Sequence, residues 1–352
     1  MHTKFKNIKI QGISSVVPAK ELLLLDDENL YNGDERKIKR VINSSGFLKR
    51  RVVDECTTTS DLCFFAANDL IEKLNIDRNS IDALIFISYT PDYLMPATSY
   101  VLHKKLELSQ NCIVMDIPQA CSGYIIGLFQ AGMLLNSGCK RVLLLVGDTF
   151  SKFLDMFINN TAPVFGDAGT ATLIDYDESA SESYFSINSD GNGYDSLICK
   201  NGGFRNIPQK EDFYQNDNYK YEAKMDGGRI FDFTMGNIAP SIEDLLKYAD
   251  IQIGDIDKVL FHQANKFIIE NIARKLDIPD DKYTTDTLTN YGNQCGASIP
   301  CSLSDMLSDF VGKNKIRCLM SGFGVGLSWA NAIIELDNIY CSKLLEYKKG
   351  AN

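Results

Sequence analysis

The feature that most constrains the fold of this 352-residue chain is an internal repeat with an offset of 175 residues. Residues 80–86 (SIDALIF) are echoed by residues 255–261 (DIDKVLF), and residues 141–147 (RVLLLVG) by residues 316–322 (IRCLMSG). Two distant pairs that share one offset indicate a duplication rather than a chance likeness of apolar strands. Since two lengths of 175 residues nearly fill the chain, the sequence predicts an N-terminal half, residues 1–178, and a related C-terminal half, residues 179–352.

Apolar runs typical of buried strands alternate along the chain with longer runs typical of helices. The predicted strands include residues 83–88, 112–117, 141–146, 258–261 and 316–320. The predicted helices include residues 60–74, 99–108, 121–135, 230–248, 264–276 and 299–310. This alternation predicts an α/β fold with sheets buried between helices. Residues 199–228 are polar with little periodicity, which is typical of a loop that is either functional or mobile.

Charge and cysteine spacing limit the classes of partner and of site. With 36 Lys and Arg against 46 Asp and Glu, the net charge of −10 disfavours broad binding to nucleic acid or to an anionic membrane. No apolar run approaches the roughly 18 residues of a membrane span, so we expect a cytoplasmic protein without membrane insertion. The ten cysteines have no CxxC spacing, which disfavours a zinc site and a disulfide framework.

Cys121 is the first candidate for chemistry, because it opens a predicted apolar helix directly after a short predicted strand. The N–H groups and the positive dipole end at a helix start stabilise a thiolate, and such sites lower a thiol pKa from about 8.5 into the range of roughly 3.5–7.5. A nucleophile at this place is chemically sensible. Taken alone, however, the residue is more simply a small buried side chain.

The repeat places two further residues opposite Cys121. His262 directly follows a predicted strand, at the carboxyl end where α/β sites collect, and the offset aligns it with the apolar Ile87. Asn293 lies three residues before Gly296, the repeat counterpart of Cys121. A pseudo-twofold arrangement of the halves would bring the cysteine, the histidine and the asparagine to a shared pocket. Asn293 alone also fits an ordinary turn or helix-entry residue.

Five segments carry a family resemblance: DIPQACSGY, FHQANKFIIENIARKL, YGNQCGASIP, FGDAGTATL and SGFGVGLSW. They resemble the corresponding stretches of β-ketoacyl-acyl-carrier-protein synthase III, a family of the thiolase superfamily, in the same order from residue 9 to residue 336. The resemblance implies a thiolase-like five-layered αβαβα fold built from two duplicated halves. It also implies a catalytic triad of Cys121, His262 and Asn293.

The resemblance implies a reaction as well. An acyl group passes from a thioester to Cys121, with the backbone N–H groups of Cys121 and Val325 as the oxyanion hole. Malonyl-acyl carrier protein then undergoes decarboxylative Claisen condensation, while His262 and Asn293 donate hydrogen bonds to its thioester oxygen, the imidazole being neutral with its N–H inward. The family needs no metal or redox cofactor, takes acyl thioesters on acyl carrier protein or coenzyme A, and forms homodimers.

Residues around the triad are assigned by the same resemblance. The substrate-tunnel positions are matched by Met95, Phe323 and Gly324. The basic positions that dock the acyl carrier protein are matched by Lys266, Arg274 and Lys275. Ordinary surface pairing is the alternative for these charges, because Glu270 lies four residues from both Lys266 and Arg274.

The chain departs from the family where coenzyme-A-primed members contact the nucleotide with a Trp and two Arg. The matching positions here are Arg40, Ser44 and Asn159. The stacking Trp is therefore absent and two cations are replaced by neutral groups, which predicts weak recognition of the nucleotide and a primer delivered on a carrier protein. A non-condensing acyltransferase of the same fold, moving an acyl group to an amine or hydroxyl, stays open as the alternative. The intact triad disfavours a catalytically silent subunit.

Overall fold

Two β-sheets with a pair of helices between them form the frame of the protein. The computed structural model describes residues 1–26, 34–152, 164–200, 203–207, 223–308 and 315–349. The strands are β1 His2–Phe5, β2 Ile8–Pro18, β3 Glu21–Leu23, β4 Lys49–Arg51, β5 Ala83–Ile87, β6 Ile113–Ile117, β7 Arg141–Asp148, β8 Ala168–Tyr176, β9 Ser183–Ser189, β10 Leu197–Cys199, β11 Ala223–Met225, β12 Lys258–Phe261, β13 Ile316–Gly324, β14 Ser328–Leu336 and β15 Tyr340–Tyr347. The α-helices are α1 Glu35–Ser45, α2 Thr59–Lys73, α3 Thr98–Lys105, α4 Gly123–Asn136, α5 Gly227–Ala249, α6 Lys266–Lys275, α7 Asp286–Tyr291 and α8 Ser298–Leu307.

The strand order of the two large sheets repeats. One sheet runs β15-β2-β8-β7-β5-β6 and the other β1-β9-β14-β13-β12. The run β2-β8-β7-β5 matches β9-β14-β13-β12 in position and direction, since in each run the first two pairings are antiparallel and the third is parallel. The repeated segments at offset 175 lie on the matching strands β5 with β12 and β7 with β13. The predicted duplication is thus visible in the sheets.

The first and last strands of the chain each join the sheet that is formed mainly by the other half. Strand β1 pairs with β9, and strand β15 pairs with β2, so each sheet takes one edge strand from the opposite end of the sequence. This exchange ties the sheets together through backbone hydrogen bonds. The division of the chain at residues 178 and 179 stays a prediction from the repeat.

Helices fill three layers around the sheets. Helices α4 and α8 lie between the sheets, where α4 contacts β7 and β13 and α8 contacts β2 and β12. Helices α2 and α3 cover the outer face of the first sheet, and α5, with α6 packed on it, covers the second. Because α4 is flanked by sheets on both sides, it is apolar nearly all round, and Tyr124, Ile125 and Leu128 are fully buried. The predicted αβαβα fold is confirmed.

Some boundaries differ from the predictions for local reasons. Helix α4 begins at Gly123, so Cys121 lies in the turn before the helix rather than in its first residue. Helix α6 begins at Lys266 rather than residue 264, because the Asn265 side chain accepts hydrogen bonds from the N–H groups of Phe267 and Ile268 and caps the helix there. Part of the predicted loop 199–228 instead forms the antiparallel pair β10–β11. No helix in the described part of the chain is long and apolar enough to span a membrane.

Candidate active site

Cys121 lies in a tight turn between β6 and α4, closed by a 2.7 Å hydrogen bond from the N–H of Gly123 to the carbonyl of Ala120. The end of β13 passes directly over the sulfur. A Cβ atom added to Gly324 would lie only 2.6 Å from Sγ of Cys121, so only glycine allows this approach. The sequence GFGVG therefore places the backbone of the C-terminal half against the cysteine of the N-terminal half.

His262 follows β12 and is almost fully buried, at 1% exposure. Its Nδ1 lies 2.9 Å from Oγ of Ser298. That hydroxyl donates its single hydrogen to the carbonyl of Cys295 at 2.8 Å, and it accepts from the N–H of Gln263 at 3.3 Å. The Ser298 hydroxyl therefore holds the imidazole in place, and the expected neutral ring with its N–H inward stays a prediction.

Asn293 is held in a turn whose polar groups are nearly all engaged. Its N–H donates to the carbonyl of Val164 at 2.7 Å, and its carbonyl accepts from the N–H of Gly166 at 3.1 Å. Its side-chain Oδ1 accepts from the N–H of Cys295 at 2.9 Å. The carboxamide orientation is thereby fixed, and the Nδ2 hydrogens are the side-chain donors left for a substrate.

One cavity of about 930 Å³ contains all three side chains, since Cys121, His262 and Asn293 are among its lining residues. The predicted positions Phe323, Gly324 and Val325 line it as well. Phe323 is buried and its ring meets the His262 ring edge to face, with centroids 5.6 Å apart. The structure thus brings the predicted triad together, although the halves that supply it are far apart in sequence.

The electrostatics favour a thiolate at Cys121. The pKa of Cys121 is held well below its ordinary value, first by a hydrogen bond from the Cys295 thiol and then by His262 and the N–H of Val325, against the opposing cost of burial. The pKa of Cys295 moves in the opposite direction, because burial and its bond to Cys121 both favour the neutral thiol. The proton therefore stays on Cys295, and Cys121 is the stronger nucleophile.

Sequence reasoning missed Cys295 and Ser298. Both lie in the segment YGNQCGASIP that identified Asn293, within five residues of it. The sequence did contain a signal for them. If Asn293 faces Cys121, the neighbouring residues of the same turn also lie near the site. Their roles depend on which side chain each turn residue presents, and neither spacing nor composition reveals that.

A buried carboxyl group stands near Cys121 and was also missed. Asp148, at the end of β7, accepts hydrogen bonds through Oδ1 from the N–H of Tyr89 at 2.8 Å and from the hydroxyls of Ser88 and Thr90. Its Oδ2 is buried without a partner. Burial raises the pKa of Asp148 to about 8, and the negative charge of Cys121 adds to the effect. At neutral pH this side chain is therefore largely protonated.

Other predicted positions lie at the rim of the cavity or outside it. Ser44 and Lys266 line the cavity, whereas Met95 is 80% exposed and is not among the lining residues, so its place in a substrate tunnel stays a prediction. Arg40 is exposed on α1 and does not line the cavity. Asn159 lies outside the described residues.

The predicted docking cations lie along α6. Lys266 is 3.8 Å from Glu270, so the surface pairing considered as an alternative is present. Arg274 and Lys275 are exposed in the last turn and do not line the cavity. Docking of a carrier protein there stays a prediction.

The cysteines and acids form no metal centre in the part of the chain that the structure describes, where no group of three or more His, Cys, Asp or Glu side chains is placed to hold an ion. All ten cysteines are free thiols. The side chains that meet in the cavity are suited instead to nucleophilic attack and to hydrogen bonding of a developing oxyanion.

Comparisons with known proteins agree with this chemistry. Residues 115–193 match the sequence profile of 3-oxoacyl-[acyl-carrier-protein] synthase III, and residues 246–336 match the profile of its C-terminal part. The chain is 36% identical to a Campylobacter jejuni protein named for 3-oxoacyl-[acyl-carrier-protein] synthase 3, over 99% of each chain. It is 33% identical to a Clostridium perfringens β-ketoacyl-[acyl-carrier-protein] synthase III, over 94% of this chain and 100% of the relative. The crystal structure of a Burkholderia xenovorans 3-oxoacyl-(acyl-carrier protein) synthase superposes with a TM-score of 0.91 at 34% identity, covering 99% of each chain.

Proposed function

The chain belongs to the 3-oxoacyl-[acyl-carrier-protein] synthase III family of condensing enzymes, and we propose that Cys121, His262 and Asn293 perform its acyl-transfer reaction. The observation that carries this proposal is that the three side chains, from separate turns, line one cavity. The reaction begins with transfer of an acyl group from a thioester to Cys121. Decarboxylative Claisen condensation with malonyl-acyl carrier protein then gives a β-ketoacyl thioester.

Cys121 acts in the first half of the reaction. Its thiolate attacks the acyl carbonyl, the bond to the donor sulfur breaks, and the departing sulfur takes a proton from protonated His262. The N–H of Val325 helps to hold the pKa of Cys121 low, and Val325 lines the same cavity, so this N–H is the first candidate donor to the oxyanion of an attached acyl group. The N–H of Cys121 is the second donor. Loss of one such donor typically raises the barrier by about 2.7–4 kcal/mol.

Asn293 acts chiefly in the second half. As the malonyl group loses carbon dioxide, negative charge develops on its thioester oxygen, and Nδ2 of Asn293 donates a hydrogen bond there. His262, held through Nδ1 by the Ser298 hydroxyl, adds a second donor from Nε2. The enolate carbon attacks the acyl carbon, and Cys121 leaves as the thiolate that its surroundings stabilise. These steps need no resident metal or redox cofactor.

The cavity mouth suits a thioester arm better than a charged nucleotide. Apart from the triad, the charged side chains among the described residues that line the cavity are Lys266 and Glu270, and they lie close enough to compensate each other. Phe231 and Phe267, both partly exposed, stack at the mouth with ring centroids 6.2 Å apart and offer an apolar rim. We therefore infer that the primer arrives on acyl carrier protein, with the exposed cations of α6 as its docking surface. A homodimer in the cytoplasm is the setting that the family suggests.

Intact-protein mass spectrometry with acyl and malonyl carrier-protein thioesters tests the proposal. We expect an acyl adduct on Cys121, release of carbon dioxide, and a ketoacyl product longer by two carbons. Transfer of the acyl group to an amine or hydroxyl without decarboxylation would instead support the alternative acyltransferase. Absence of an adduct with every donor would refute the assigned nucleophile.

Two comparisons sharpen this experiment. Cys121→Ala should give no adduct, whereas Cys63→Ala, which removes a buried thiol elsewhere in the first half, should still be acylated. Coenzyme A thioesters with the same acyl group should react more slowly than the carrier-protein thioesters. Equal rates with the two donors would remove the basis for the inferred carrier-protein primer.

A further inference from the structure

Cys295 is a second buried thiol next to the nucleophile, and the mechanism above leaves it without a task. It is 1% exposed and belongs to a small apolar cluster with Ala120 and Phe165, against which Cys121 packs. The turn that carries it also contacts the Cys121 turn directly, since a Cβ atom added to Gly296 would lie 2.7 Å from the carbonyl oxygen of Ala120. Cys121 and Cys295 therefore pack in the same small cluster, on two turns that touch.

The backbone of Cys295 is held in a conformation that is unusual for a side chain of its kind. Its φ of +50° lies in the left-handed region, which costs a non-glycine residue free energy. The surroundings maintain it, because its N–H donates to Oδ1 of Asn293 and its carbonyl accepts from the hydroxyl of Ser298. The same bonds orient Asn293 and His262. The position of the Cys295 thiol is thus fixed by the network that fixes the triad.

We propose that Cys295 is a positioning residue of this active site, whose thiol donates a hydrogen bond to the sulfur of Cys121 and keeps that sulfur ready for attack. The inference rests on the proposed role of Cys121 as nucleophile. A thiol is a weak donor, but a thiolate in a buried site gains from each donor that faces it. A serine at position 295 retains a donor, and an alanine does not.

The ionisable groups around Cys121 define what else affects its reactivity. His262 faces it from the end of β12, Tyr89 and Asp148 interact with its charge from the ends of β5 and β7, and Cys295 faces it from the turn before α8. His262 favours the thiolate, whereas the charge of ionised Asp148 opposes it. Replacement of Cys295 leaves these other groups in place, so its own contribution is measurable.

The test is the pH dependence of iodoacetamide labelling at Cys121, followed by peptide mass spectrometry in the full-length protein. In Cys295→Ala we expect the labelling rate at pH 7 to fall about tenfold and its midpoint to move to higher pH. Cys295→Ser should label within about threefold of the unmodified protein. The matched control is Cys301→Ala, which removes a buried thiol from α8 that does not line the cavity and should leave the profile unchanged.

Coincident profiles of Cys295→Ala and the unmodified protein would overturn the proposal, as would equal losses in the alanine and serine variants. The labelling experiment uses no thioester, so it is independent of the overall reaction. If Cys121→Ala retained condensation, the proposed function would fail, whereas the alkylation profiles would still report on the contact between the two cysteines. Thermal unfolding of each variant shows whether the fold is retained.

Discussion

Nδ1 of His262 and Oγ of Ser298 lie 2.9 Å apart, and both groups are buried. The serine hydroxyl also lies 2.8 Å from the carbonyl of Cys295, so it links the histidine to the turn that carries Asn293. Ser298 begins α8, which packs between the two sheets, and His262 directly follows β12. The orientation of the histidine ring is therefore set by a helix of the central layer.

Replacement of Ser298 by Ala should impair the reaction through His262. The ring would lose its Nδ1 partner, and a buried hydrogen bond to a charged group is worth about 1.5–3 kcal/mol, so we expect kcat to fall by about 10- to 100-fold with KM little changed. The pH profile of kcat should shift as well. Steady-state kinetics against pH measures both effects. Ser302→Ala, which removes another buried hydroxyl of α8, bonded to Thr287 of α7, should leave the profile in place.

Replacement of Asn293 should separate the two halves of the reaction. In Asn293→Ala the donor to the malonyl thioester oxygen is lost, so decarboxylation should slow by about 100-fold while acylation of Cys121 persists. Asn293→Asp keeps the acceptor for the N–H of Cys295 but places a carboxylate near the Cys121 thiolate, and it should slow both steps. The test compares the single-turnover rate of Cys121 acylation with the rate of carbon dioxide release in each variant. A parallel loss of both steps in Asn293→Ala would contradict this division.

The repeat allowed two related α/β halves and the meeting of Cys121, His262 and Asn293 to be predicted, whereas the five-layered fold and the catalytic triad were implied by the resemblance. Strands β5 and β12 occupy matching places in their sheets, so a residue that follows one of them, such as His262, has a predictable location. Cys121 and Asn293 precede α4 and α8, which fill the shared central layer. The resemblance then supplied the chemistry, and the structure places the three side chains around one cavity.

The features that were not predicted depend on individual contacts, which produce no periodic pattern in the sequence. Ser298 and Cys295 act through single hydrogen bonds in a turn, and the sequence does not reveal which side chains of a turn point inward. The orientation of the His262 ring depends in turn on the Ser298 hydroxyl. Strands β10 and β11 are three residues each and are polar in part, so their pairing is too short to produce a recognisable alternation.

The aromatic rim should affect binding of the donor more than the chemistry. Phe267 is half exposed and stacks on Phe231 at the cavity mouth. In Phe267→Ala we expect KM for the acyl donor to rise about fivefold with kcat nearly constant, because apolar area that covers the thioester arm is lost. Phe204→Ala, which removes a more exposed ring outside the cavity lining, is the matched control. A fall in kcat at constant KM would contradict a role of these two rings in donor binding.

Cys121 packs against the cluster that contains Cys295, so we expect an oxidant to act on the two thiols as a pair. Diamide accepts two electrons and two protons as the two sulfur atoms become a disulfide, and we expect this link to abolish acylation until dithiothreitol reduces it. Peptide mapping should identify the bond, and prior acylation of Cys121 should prevent it. Cys295→Ser should keep its activity in diamide. If diamide inactivated that variant equally, the exposed Cys56 or Cys199 would be the sensitive site instead.

Asp148 should make the free energy of unfolding depend on pH. Its pKa is raised from 3.8 to about 8, so the folded protein holds a proton that the unfolded chain releases. The stability from this group is fully present below pH 3.8 and is lost, by about 1.4 kcal/mol per pH unit, as the pH rises towards 8. Asp148→Asn stays neutral and can accept the same hydrogen bonds through Oδ1, so its stability should fall less steeply over that range.

Urea unfolding at several pH values between 5 and 9 compares the two proteins. The buried Asp167, whose pKa is raised to about 6, adds the same dependence to both, so the difference between the slopes isolates Asp148. We expect the difference in unfolding free energy between the variant and the unmodified protein to grow with pH and to level off above pH 8. Parallel curves would mean that Asp148 is already ionised in the folded protein at pH 5, with Oδ2 reached by a partner such as water.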